Sequence, residues 1–367
     1  MSKTAFLLSG ALLAMSACAI EAQPNYTVTF PVGADADNTM AYLVNWDSAQ
    51  KMDSVIVSDG LVKFEGHIDA PMIGRIMVSG KRGPIFFLEE GTVTIDEKGT
   101  PSGTALNEKY VGYQKEMSDI AKAYNALDRN DSIQMAKGKE LEAQYEGIPA
   151  KAYNENKDNI LGLFMYMQGA YEKSVDELEA DIAANPVLAS SKQAQALNKT
   201  LRIQAETGEG KHYKDFTVEY NGKTEKLSDY VKPGRYTIVD FWASWCGPCV
   251  RQLKVIKELY AKYKDKGLDV VGVAVWDKPA DTEEAIKSHE LPWPCIINAQ
   301  TIPTDLYGIQ GIPCILLINP EGIIVSRDKQ GADLVSDVDA AMASYKPEAS
   351  EVIPATKIVP ADTVAAF

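Results

Sequence analysis

Residues 237–250 read TIVDFWASWCGPCV. The apolar run to Trp242 has the composition of a strand. From Cys249 onward, apolar residues recur at helical spacing: Cys249, Leu253, Ile256, Tyr260 and Tyr263. A strand is therefore expected to end near Trp242 and a helix to start at Gly247 or Pro248. Proline suits the first helical turn because it has no N–H to leave unpaired and its φ is preset. Cys246 then stands at the helix N-terminus, where unpaired backbone N–H groups and the positive end of the dipole favour an anion. The thiolate is the reactive form of cysteine, so this position arms Cys246 as a nucleophile. Gly247 leaves room for a tight approach. Cys249 falls one turn on, facing inward and within disulfide reach of Cys246. The pair can alternate between dithiol and disulfide: Cys246 attacks a substrate disulfide, and Cys249 resolves the mixed disulfide.

Asp240 interrupts the apolar run two residues before its end. A buried carboxylate costs several kcal/mol unless it does something. One reading is a carboxyl of raised pKa that accepts or relays the proton of Cys249, directly or through water. The plainer alternative is an aspartate turned outward at a sheet edge.

Working outward, LDVVGVAV (268–275) is a continuous apolar strand of the kind buried in a parallel sheet. A helix is expected from Asp281 as N-cap with Glu284 three residues on. CILLIN and IIVS flank Asn319-Pro320-Glu321-Gly322 as a hairpin, and a last helix is expected over about 333–345. Strand–helix alternation followed by a hairpin gives an α/β sheet.

VDFWASWCGPC resembles the thioredoxin active site, with Asp240 where thioredoxins keep a buried aspartate. DFTVEYNGKTEKLSDYVKPGRYTIVDFWASWCGPC (215–249) and GIPCILLINPEGIIV (311–325) resemble the opening and the cis-proline strand and hairpin of the TlpA/ResA branch of that superfamily. The resemblance implies a thioredoxin fold over 209–346, a cis Ile312-Pro313 peptide facing the cysteines, and supporting roles for Trp245, Gly247, Pro248 and Ile312. A cis proline presents no N–H and can hold an extended substrate strand beside Cys246. It also implies an acidic residue near the end of the next strand, for which Asp277 is the candidate. Cys314 departs from the pattern, because a non-thiol residue usually follows that proline. Cys314 and Cys295 are open to three readings: a second disulfide, an electron relay from the active pair to Cys314, or two small buried thiols.

Upstream, residues 25–103 carry short β-type runs separated by turn signals such as Ser58-Asp59-Gly60 and Gly83-Pro84, as in a small antiparallel sandwich or barrel. DSVIVSDGLVKFEGHIDAPMIGRIMVSG (53–80) and FFLEEGTVTIDEKGTPSGTALNEKY (86–110) resemble a domain of unknown function that precedes thioredoxin modules in bacterial envelope lipoproteins. After Gly103 the period changes. Leu106, Tyr110, Tyr113, Met117, Ile120, Tyr124 and Leu127 form one helical stripe, read as packing. Further helices are expected over roughly 132–157, 158–182 and 187–206, with ILGLFMYM (160–167), apolar on all sides, at the centre of a bundle. Residues 104–206 thus read as a helical linker domain, and 347–367 as a loose tail. The whole is a multidomain α+β chain: an N-terminal antiparallel β domain, a helical middle and a C-terminal α/β thioredoxin fold.

The first 17 residues combine Lys3, the apolar run 5–14 and small residues, as in an export signal. Ser16-Ala17 before Cys18 resembles the site where bacterial lipoproteins are cut and lipidated, although Met15 stands where leucine is usual. Ala17-Cys18-Ala19 also fits ordinary secretion, and a buried N-terminal helix is the remaining alternative. With Cys18 set aside, four of the five cysteines remain for an oxidising compartment.

A formal net charge of -14 over 367 residues repels phosphate backbones, so nucleic acid is excluded as a partner. A zinc site would need a second ligand pair, and His67, His212 and His289 are not paired at ligand spacing. No metal or other cofactor is expected. The expected function is an exported thiol–disulfide oxidoreductase that reduces disulfides of envelope proteins, recharged by a membrane electron donor of DsbD or CcdA type and held at the membrane through a lipid on Cys18. The alternatives are a disulfide isomerase or oxidase, and an interaction lipoprotein using the thioredoxin module as a scaffold. A peroxidase fits poorly: Arg251 follows the motif, but no recognisable partner residues join it.

Overall fold

A computed structural model describes residues 23–128 and 130–346. The expected export segment 1–17, Cys18 and the tail 347–367 lie outside the described residues. The chain divides into two compact units, Met1–Gln195 and Ala196–Phe367.

In the first unit, eight strands form two four-stranded sheets: β1 (Tyr26–Pro31), β2 (Met40–Asn45), β3 (Lys51–Ile56), β4 (Leu61–Gly66), β5 (Met72–Val78), β6 (Lys81–Leu88), β7 (Gly91–Ile95) and β8 (Pro101–Ser102). Their orders are β4-β1-β7-β8 and β3-β2-β5-β6. Period-two alternation sends Val62 and Phe64 of β4 inward and Lys63 and Glu65 outward. In register, Val28 lies opposite Phe64 on one side and Val93 on the other. These residues meet Leu43, Ile76, Phe86 and Leu88 of the second sheet in one core. The sandwich is not purely antiparallel, because β1 pairs with β7 in parallel. Between β1 and β7 the chain builds all four strands of the second sheet, passes once through the first as β4, and returns beside β1 in the same direction; such a pair needs a long crossover rather than a turn.

Six helices follow: α1 (Ala105–Asn125), α2 (Ser132–Glu155), α3 (Ile160–Gly169), α4 (Val175–Ala184), α5 (Pro186–Ser190) and α6 (Lys192–Glu206). Rather than forming a body of their own, α1 to α5 belong to the same unit as the sandwich. Phe87 alternates out of the sandwich core and meets the rings of Tyr110 and Phe164 at 5.3 and 5.9 Å. The amide of buried Asn107 on α1 accepts from Phe87 N (2.9 Å) and donates to Phe87 O (2.7 Å), completing that strand's backbone bonding. Leu161 to Met167 are all buried, as the apolar run predicts. The single helix expected over 158–182 is two, because Ser174 and Glu177 form a capping box that starts α4 afresh.

The second unit holds a β-hairpin, β9 (Thr217–Tyr220) and β10 (Lys223–Lys226), and then β11 (Tyr236–Trp242), α7 (Gly247–Tyr263), β12 (Leu268–Ala274), α8 (Pro279–Ser288), β13 (Cys295–Ile296), α9 (Ile302–Tyr307), β14 (Cys314–Ile318), β15 (Ile324–Arg327) and α10 (Gly331–Ser344). The main sheet runs β13-β12-β11-β14-β15. β11 is parallel to β12 and antiparallel to β14. Being central, it is buried from Thr237 to Trp242. Alternation splits its side chains between two cores. Ile238 and Trp242 pack with Leu253 and Ile256 of α7 and Leu334 and Val338 of α10. Val239 and Phe241 pack with Phe216, Leu227 and Tyr307 on the other face. α8 starts at Pro279 with Lys278 as N-cap, three residues before the expected cap. Asp281 is therefore an acidic residue of the first turn and not the cap.

Candidate active site

Cys246 is the N-cap of α7, and Pro248 occupies the first turn. Cys246 and Cys249 are joined as a disulfide. The Cys249 backbone N–H donates to the Cys246 sulfur at 3.2 Å. On reduction, that N–H and the helix dipole both act on a thiolate at the same sulfur. Cys249 is fully buried and Cys246 nearly so, but Trp245, Gly247 and Pro248 around them are exposed. A methyl added at Gly247 would meet nothing closer than the Arg251 guanidinium at 3.8 Å, so no contact within the chain requires glycine there. The open side is turned to whatever approaches.

Asp240 is fully buried, not turned out at an edge. It sits between Ile238 and Trp242 on the face that carries α7 and Cys249. Neither of its carboxylate oxygens has a hydrogen-bond partner among the described residues. Burial alone pushes its pKa up to about 7. At neutral pH the group is therefore poised to hold or release a proton, as an acid–base catalyst requires.

Two further supports hold the loop between β11 and α7. Buried Asp277, just past β12, accepts from Ser244 N (2.7 Å), Ser244 Oγ (2.9 Å), Lys278 N (2.9 Å) and Thr282 Oγ1 (2.9 Å). This one carboxylate ties the residue two before Cys246 to the start of α8. The Trp245 indole donates to Trp276 O at 2.9 Å, which fixes the ring while leaving it 63% exposed. From the other side, the Ile312–Pro313 peptide is cis, and Ile312 O lies 3.6 Å from the Cys246 sulfur. Cys246, Cys249, Trp245, Ile312 and Pro313 thus gather at one end of the sheet, with Asp240 beneath the helix. Ser244 and Thr282 are absent from the sequence-based expectations: the Ser244 hydroxyl meets a carboxylate 33 residues away, and a pairing at that distance leaves no local signal.

The described features match two known domain families. Residues 210–327 match the AhpC/TSA family, and residues 26–110 match a domain of unknown function, DUF4369. The first match falls on the C-terminal domain, whose α/β fold is thioredoxin-like. Among its relatives, the thiol-disulfide oxidoreductase ResA of Bacillus subtilis is 30% identical over 118 residues, which are 32% of this chain and 65% of that protein. ResA of Geobacillus thermodenitrificans is 28% identical over 134 residues, 36% of this chain and 75% of that protein. The chain therefore spans slightly less than two thirds of the B. subtilis relative. The crystal structure of the thioredoxin domain of a Bacteroides vulgatus thiol-disulfide oxidoreductase is 29% identical, with 36% of this chain and 96% of that one covered and a TM-score of 0.33.

Within this C-terminal domain, Cys295 and Cys314 are free. Cys295 packs on the α7 face of the sheet and Cys314 on the opposite face, so the sheet itself stands between them and no disulfide joins them. The second-disulfide reading is thus set aside; Cys314 is a buried thiol and Cys295 a partly buried one. Burial pushes the Cys295 thiol up to about 12, and burial with the Asp328 carboxylate raises Cys314 well above the ordinary thiol range. Neither is a thiolate near neutral pH.

Proposed function

We propose that this chain is a thiol–disulfide oxidoreductase that reduces disulfides of exported proteins. The observation that carries this reading is the Cys246–Cys249 disulfide at the N-terminus of α7, beside the cis Ile312–Pro313 peptide and flanked by exposed residues. In the reduced state the Cys246 thiolate attacks one sulfur of a substrate disulfide. The other substrate sulfur leaves and takes a proton. Cys249, giving its proton to Asp240, then attacks the Cys246 sulfur and expels the second substrate sulfur. Two electrons pass to the substrate, and the enzyme is left with the Cys246–Cys249 bond. Ile312 O and the cis peptide support a role as a ledge for an extended substrate strand, since proline offers no competing N–H.

Gly-Pro between the cysteines and the ResA relatives favour the reducing direction over isomerase or oxidase chemistry. In an oxidising compartment such a reductase needs a membrane electron donor of DsbD or CcdA type, with disulfide-containing envelope proteins as clients. The N-terminal sequence supports export with a lipid on Cys18; a Cys18→Ser chain that still fractionates with membranes would remove that anchor. Insulin reduction by the full chain, with Cys246→Ser as control, tests the activity. Equal rates in the two proteins would leave the interaction-protein reading in its place. Peroxide turnover faster than disulfide reduction would overturn the proposal in favour of a peroxidase.

A further inference from the structure

Across the sheet, Asp240 lies in register with Gly272 of β12, and Gly272 with Cys295 of β13. All three lie on the α7 face. Neighbouring strands are about 4.8 Å apart, so the position between Asp240 and Cys295 would normally hold a side chain. Gly272 has none. A methyl placed there would come 2.8 Å from the Cys295 sulfur and 3.1 Å from the Trp242 indole Nε1. The thiol and the indole thus lean into the gap beside Asp240. The indole N–H, like the Asp240 carboxylate, is buried without a partner. These are unusual neighbours, since buried polar atoms are nearly always satisfied.

We propose that Cys295 is a positioning residue for Asp240: its thiol, with the Trp242 indole N–H, fills the gap over Gly272 and sets how readily the Asp240 carboxyl exchanges the Cys249 proton. This rests on the reductase mechanism above and deepens it. The environment leaves few competitors. β12 contributes no side chain in this row, and β14 contributes Ile315, in register with Asp240. α7 turns Cys246, Cys249, Leu253 and Ile256 to this face, α8 Ala285, and α10 Leu334 and Val338. Cys314 lies on the opposite face but still senses the Asp240 charge, and Glu225 acts on Cys295. The titratable groups packed on this face among the described residues are the partly buried Tyr236, Tyr260, Tyr263 and Tyr345 and three thiols, two of which are locked in the disulfide when the protein is oxidised. Cys295 is left as a neutral neighbour whose S–H can donate.

The test is the titration of the Asp240 carboxyl in the full-length oxidised protein, followed by carbon-13 NMR. Cys295→Ser offers a stronger donor and is expected to lower the midpoint by about half a unit or more; Cys295→Val fills the same volume without a donor and is expected to raise it comparably. Cys314→Ser, on the far face, should leave it in place. The pH profile of insulin reduction should move in the same directions. Unchanged midpoints in both Cys295 variants, or an equal shift in Cys314→Ser, would overturn the proposal. The titration needs no activity, so shifted midpoints in a protein that reduces nothing would sink the reductase reading alone. Wild-type midpoints and pH profile in variants that reduce insulin would sink this inference alone.

Discussion

Asp240 gives the molecule a pH signature that follows from one buried group. Its pKa rises from 3.8 to about 7 on folding because burial disfavours the charged form. Below about 3.8 both folded and unfolded chains hold the proton and nothing is lost. Between those values the unfolded chain has released a proton that the folded chain retains, so stability falls as pH rises, and above about 7 the whole penalty applies. Asp240→Asn is therefore expected to stabilise the oxidised protein by up to about 4 kcal/mol at pH 8.5, with the gain vanishing near pH 3.5. Urea midpoints at the two pH values measure this; an equal gain at both would mean that the pKa of the carboxyl does not change on folding. A group that weakens the fold at working pH is expected where chemistry, not packing, keeps it. Cys246, Cys249 and Asp240 stood out because each breaks a local pattern, two thiols at a helix start and a charge in an apolar strand, whereas Pro313 came only from the resemblance of 311–325 to a cis-proline strand. The Asp240–Gly272–Cys295 row was not legible, because its members are linked only by strand register, which a parallel sheet does not write into neighbouring residues.

Among the elements, the β11–α7 loop depends on the start of α8. Asp277 accepts four hydrogen bonds, two of them from Ser244. Asp277→Ala leaves those donors unpaired, and a cost of about 2–3 kcal/mol is expected. It should also slow insulin reduction, because Trp245 and Cys246 follow directly on Ser244; stability lost with the rate intact would show that the clamp serves folding only. Element types were mostly legible from period and turn residues, whereas boundaries were less so. The break before α4 lies in a capping box whose meaning depends on Ser174 being non-helical. The early start of α8 follows from Pro279, which fits the first helical turn; Asp281 then falls inside that turn, and the helix has no side-chain cap. The hairpin of β9 and β10 and the short β13 and α9 carry too few residues for a period to show.

For the whole molecule, two units with separate cores imply that damage to one need not reach the other's chemistry. Phe87 is fully buried between the sandwich and the rings of Tyr110 and Phe164. Phe87→Ala is expected to cost the first unit about 3–5 kcal/mol and to lower one calorimetric transition while insulin reduction by the folded protein stays unchanged; loss of both together would mean that the units fold as one. The expected separate helical domain dissolved into the first unit because Phe87 points out of its own sheet, an orientation set by alternation that becomes visible only once β6 is placed. The exchange mechanism itself is tested most directly by the full-length Cys249→Ala protein, reduced and offered a model aromatic disulfide, with the first covalent adduct mapped by mass spectrometry. The expected product is a single mixed disulfide on Cys246. An adduct on Cys295 or Cys314 with Cys246 left free, or no adduct at all, would contradict it.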